Sequence, residues 1–160
     1  ADKVVADINI DILALSGPSR SVTSIGYGQS DMDDYLMAAA KQQSRTVVPD
    51  DKPEKGFFFR SDHINFARVG IPALYASSGM DLVDGGEAAG RKAADDYTSN
   101  RYHKPSDNYD PNWDFRGAVQ DMDLLLAIGR RLANESTFPQ WKAGADFARP
   151  APAQSRTSAP

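Results

Sequence analysis

The chain contains no cysteine and only two histidines among its 160 residues. Without thiols it can form neither disulfides nor thiolate metal sites, although this absence does not fix a compartment. No apolar run approaches the roughly 18 to 20 residues of a membrane helix, because Asp, Asn or Ser interrupts each one, so no membrane partner is expected. There is no excess of positive charge: 18 Lys and Arg stand against 22 Asp and Glu, for a net charge of −4. A scattered, mildly acidic balance gives no footprint for a phosphate backbone, so nucleic acid is not an expected partner. A starting Met and a leader are also missing. The opening "ADKVVADINIDILAL" enters an apolar alternation directly and reads as the continuation of something longer.

What is present suits one folded core, with 41% hydrophobic and 25% charged residues. Ile8, Ile10 and Ile12 alternate with Asp7, Asn9 and Asp11, which predicts a strand. A second strand is expected over Ser21 to Gly28. Ser30 then caps a helix, "DMDDYLMAAAKQQ", with Asp31, Asp33 and Asp34 in its first turn and Lys41 and Arg45 towards its end. A short strand follows at Thr46 to Val48. Ser61 is placed to cap a short helix from Asp62 to about Val69, Gly70 and Pro72 stop it, and Ile71 to Ala76 form another strand.

From Gly79 to Trp113 there is little periodicity, which predicts a long loop of the kind that carries function. The last helix, Gly117 to Asn134, is expected to turn Ala118, Met122, Leu125, Leu126, Gly129 and Leu132 towards the sheet. Residues 148–160 are a Pro/Ala/Ser-rich tail predicted to be disordered, which leaves residues 1–147 as one α/β unit.

Three places offer chemistry. Asp11 stands at the carboxyl end of a strand, where open α/β sheets place ligands, but an aspartate there is also an ordinary turn former. "SDH" at Ser61, Asp62 and His63 brings a hydroxyl near an imidazole, yet the plainer reading is a capped helix start with a hydrogen-bonded histidine. In "NRYHKPSDNYDP", His103 and Asp107 have the spacing of a metal ligand and the carboxylate that orients its ring, a weak signal in isolation.

Taken in order, "INIDIL", "FFFRSDHINFARVGIPALY" and "DDYTSNRYHKPSDNYDPNWD", followed by an amphipathic helix, resemble the C-terminal half of the co-catalytic zinc aminopeptidases over about residues 3 to 147. The resemblance implies a mixed-sheet α/β/α domain with its N-terminal strands missing, and a pair of zinc ions that activate water for hydrolysis of N-terminal peptide bonds. By the same resemblance Asp11 is a ligand of one zinc and His103 of the other. Asp107, Ser61 and Asp62 support them, and Arg60, Phe58 and Tyr102 face the substrate. Phe58 stands where some members carry a tyrosine, so its missing hydroxyl is a departure. Related glutaminyl cyclases and binding-only relatives make acyl transfer and ligand binding the alternatives.

The general base and the remaining ligands belong to the family's other half and are not in this sequence. The resemblance therefore implies that this chain alone holds no zinc and is inactive, and that its partner is the N-terminal half of the same polypeptide, acting with it on peptide substrates in a periplasmic or secreted setting.

Overall fold

The computed structural model describes residues 3–147, so the tail at 148–160 lies outside the described residues. The middle layer is a four-stranded mixed sheet of β1 (Asp7–Asn9), β2 (Ser21–Ile25), β3 (Thr46–Pro49) and β4 (Ala73–Ser78), in the order β1-β4-β2-β3. β1 runs parallel to β4 and β2 parallel to β3, while β2 and β4 are antiparallel. Four helices complete the fold: α1 (Met32–Gln42), α2 (His63–Ala67), α3 (Gly86–Asn100) and α4 (Arg116–Asn134). None of them is long and apolar enough to cross a membrane among the described residues.

The period-two pattern sorts side chains between the two faces. Val22, Leu74 and Ala76 pack with Met32, Leu36 and Ala40 of α1 and Leu124, Leu125 and Ile128 of α4, and Ile8 packs against the same cluster. The opposite face of β1 and β4 receives α2. The sheet is thus covered by α1 and α4 on one side and by α2 on the other.

The first strand is shorter than its alternation predicts. It stops at Asn9, where its pairing with Tyr75 of β4 ends, and Ile10 and Ile12 beyond it are exposed. Regular backbone persists only where a neighbour completes its hydrogen bonds. Ser30 does serve the start of α1, its hydroxyl accepting the Met32 amide at 3.3 Å, although Asp31 occupies the cap position itself. Asp33 belongs to the first turn as expected but is buried, accepting from the Ser24 hydroxyl at 3.0 Å and the Gly28 amide at 2.7 Å. Burial is the main cause of its raised pKa, and those two hydrogen bonds oppose it.

Two expectations are corrected. Gly79 to Trp113 is not one long loop, because α3 occupies its centre. The pattern hides this helix since Gly90 is its one buried residue, a position where a Cβ would meet the Met80 carbonyl oxygen at 2.1 Å. A helix docked through a glycine leaves no apolar stripe to read. The buried face of α4 is also rotated. Gly117, Ala118, Leu124, Leu125, Ile128 and Leu132 point inward, whereas Met122 and Leu126 are exposed.

An ion pair lies on the inward face of α4. The Arg45 side chain, 1% exposed, reaches Asp121 of α4 at 2.8 Å, and a second guanidinium nitrogen donates to the Ser19 hydroxyl at 3.0 Å and the Ser21 carbonyl at 2.9 Å. The other Asp121 oxygen accepts from the Ser78 hydroxyl at 2.8 Å. Asp121 thus turns inward towards Arg45 while its neighbour Met122 is exposed. Removing one partner strands a buried charge, so Arg45→Met is expected to lower unfolding free energy by about 3 kcal/mol or more in urea titration, with Asp121→Asn also destabilising.

Candidate active site

Asn9, Ser61, His63 and Tyr75 gather near the carboxyl end of β1, on the face that α2 covers. In-register pairing of Asn9 with Tyr75 sets their side chains on the same face. Asn9 is buried, and its amide donates to the Ser61 hydroxyl at 2.8 Å, tying the strand to the residue two positions ahead of α2. Ser61 therefore joins the first strand to the α2 region in place of capping the helix with its side chain.

Asp11 follows β1 by two residues and is solvent-exposed. Tyr75 lies against it. Burial first, then the Asp11 charge and the pull of that carboxylate on the hydroxyl proton, push the Tyr75 phenol up to about 12. The Tyr102 ring also acts electrostatically on Tyr75, and Tyr102 is stacked on His103 with ring centroids 3.9 Å apart and planes 19° from parallel.

His103 is exposed and sits in the left-handed region with φ 56°. Such a conformation costs a non-glycine residue about 1 kcal/mol or more, and the neighbouring turn holds it there. Within that turn Lys104 Nζ donates to the Ser99 carbonyl, and the Asp107 carboxylate accepts from the Tyr97 hydroxyl at 2.9 Å. Asp107 thus fastens the histidine's loop to the end of α3.

His63 is fully buried, between the Phe58 ring at 4.6 Å and the Tyr75 ring at 4.9 Å. Burial pushes its pKa down, and the Phe58 backbone carbonyl together with the charges of Asp11 and Asp62 opposes that shift without reversing it. Its ring approaches the Phe58 backbone carbonyl without reaching ordinary hydrogen-bond geometry, and its packing is mainly aromatic. Asp62 is exposed, and its charge adds to burial in raising the Asp7 pKa. Phe58 turns its ring into the space beside Gly26, while Arg60 lies over the Phe57 ring at 5.7 Å. Tyr75 and Asn9 were not singled out in the sequence. The signal for both was the alternation of two neighbouring strands, which puts them on the same face as Asp11.

An α/β layer fold with polar groups collected at the carboxyl end of its strands has the usual layout of a ligand-binding or hydrolytic domain. The chain matches the model of Peptidase family M28 over residues 1–127 and belongs to that family. No curated protein and no solved structure matched it. Peptidases of this family depend on zinc. A carboxylate and an imidazole are suitable zinc donors, yet among the described residues no three His, Asp or Glu side chains converge into a group that could hold a metal ion. A zinc ion takes about four ligands, so the described residues on their own do not fit one.

The Tyr75 shift has a consequence for stability. A phenol that ionises near 10 when unfolded and near 12 when folded contributes stability in full below the lower value and loses it as pH rises through the upper one. The urea midpoint of the wild-type chain is expected to fall between about pH 9.5 and 11.5 more steeply than that of Tyr75→Phe.

Proposed function

We propose that this chain is the C-terminal half of the catalytic domain of a zinc-dependent exopeptidase that removes N-terminal residues from peptides. What supports this reading is membership of a zinc peptidase family, together with Asp11 lying against Tyr75 just past β1 and the Tyr102–His103 stack in the loop after α3. Asp11 supplies one ligand to one zinc ion and His103 one to the other. The N-terminal half of the same polypeptide supplies the remaining ligands and the general base, and the assembly works in the periplasm or outside the cell.

When bound, the zinc pair supplies an activated water. The residues of this chain hold and shape the site around it. Tyr75 stays protonated at neutral pH and restrains the Asp11 carboxylate. Asp107 and Tyr97 fix the loop that presents His103. Ser61, with Asp62 beside it, anchors the α2 wall to β1 through Asn9. Arg60 and Tyr102 face the peptide, whereas Phe58, packed against His63 and Phe147, backs the α2 wall from behind. Further support comes from the exposed apolar side chains Ile10, Ile12, Val119, Met122 and Leu126, a surface suited to the docked N-terminal half.

The test compares the purified 160-residue chain with a protein containing both halves. Dialysed against zinc, the chain alone is expected to retain no stoichiometric metal and to leave leucine p-nitroanilide intact. The two-half protein is expected to bind two zinc ions and hydrolyse the anilide, with kcat/KM falling roughly 100-fold or more in Asp11→Asn or His103→Ala, and about tenfold in Asp107→Asn. A zinc-loaded, active monomer of 17.4 kDa would overturn the proposal. Cyclisation of an N-terminal glutamine peptide without anilide hydrolysis would replace peptidase with acyl transfer.

A further inference from the structure

We infer that Gln140–Phe147, which lies beyond the stretch matched by the family, is a strap that holds the α2 wall of the candidate site in place and can release it independently of the main core. The strap is fastened at the start of α1. The Gln140 amide donates to the Asp31 carboxylate at 2.9 Å, the Asp31 amide donates back to the Gln140 carbonyl at 2.9 Å, and the Lys142 amide donates to the Gln29 carbonyl at 2.8 Å. Trp141 makes an antiparallel bridge to Ser30 between these bonds.

From that anchor the strap crosses to α2. Trp141 packs with Ile64 and Ala67 in a cluster separate from the main core, and Phe58, Ala145 and Phe147 close over it. Phe147 stacks on Phe58 with centroids 5.6 Å apart and planes 27° from parallel, and it lies 5.6 Å from the Trp141 ring. Phe58 in turn meets His63 edge-on, and His63 meets Tyr75. The aromatic contacts thus run from the strap to the tyrosine that lies against Asp11.

Two features make this a separable unit. The satellite cluster owes its closure to rings contributed by the strap, since α2 itself has only five residues and cannot bury its face alone. The main core of α1, α4 and the sheet contains no strap residue. Elements with few contacts to the principal core open locally, at lower free energy than the whole molecule. The existence of the strap does not depend on the peptidase reading. Its bearing on catalysis rests on Asp11 being part of the site.

The test is amide hydrogen exchange on the full 160-residue chain at neutral pH, with the His63 ring protons followed by NMR. In Phe147→Ala, the amides of Arg68, Gly70 and Ile71, which are bonded within and just after α2, are expected to exchange about tenfold faster, while those of Leu125 and Ile128 in α4 stay within about twofold of wild type. The His63 ring resonances are expected to shift in the same variant. Phe147→Tyr, which keeps a ring to stack, is expected to restore both. If Phe147→Ala does not fold, Phe147→Leu is read in the same way. Unchanged exchange in α2, or equal acceleration in α2 and α4, overturns the strap as an independent unit. Because these readouts need neither metal nor substrate, they stand apart from the outcome of the peptidase assay.

Discussion

The fold depends on one buried cation. Taking a guanidinium out of water costs several kcal/mol, and Arg45 recovers this only because a carboxylate, a hydroxyl and a main-chain carbonyl converge on it from different elements. Those partners come from the approach to β2, from β2 itself and from α4, so a single side chain sets where the long helix lies on the sheet. Asp121 uses its second oxygen on Ser78 of β4 and extends the same constraint to the strand that carries Tyr75. An apolar contact tolerates sliding. A buried ion pair with directional hydrogen bonds fixes register, and the layout of the site follows from it.

The parts of the molecule legible in the sequence are those bounded by clear Gly, Pro or cap residues or carrying a helical apolar stripe. β2, β4, α1 and α4 fall close to where their turn, cap and periodicity signals put them. α3 escapes because it buries a glycine, and the face of α4 differs from its apolar pattern because Asp121 turns inward. Periodicity counts apolar residues and cannot register a carboxylate drawn inward by a partner distant in sequence. The shortening of β1 is a different case, since alternation continues through Ile12 but pairing with β4 ends at Asn9 even though β4 itself runs on to Ser78.

Around the site, the residues that resemble a known pattern were legible and the ones that hold them were not. Asp11 and His103 stand out through their sequence context. Tyr75, which lies against Asp11, is an unremarked tyrosine in "GIPALY" until β1 and β4 are paired. Asp107 shows why spacing is a limited guide. Its carboxylate lies in the loop of His103, but the hydrogen bond goes to Tyr97, so it acts on the backbone path that presents the imidazole.

The two edges of the sheet are unlike. β3 forms one edge and ends in Pro49, which has no amide hydrogen to offer, and the charged run Asp50, Asp51 and Lys52 follows it. β1 forms the other edge and leads into exposed isoleucines without a proline or a lysine. The sheet consequently has a polarity of growth. An added strand is discouraged on the side of β3, whereas the β1 side, beside Asp11, carries neither of these obstacles.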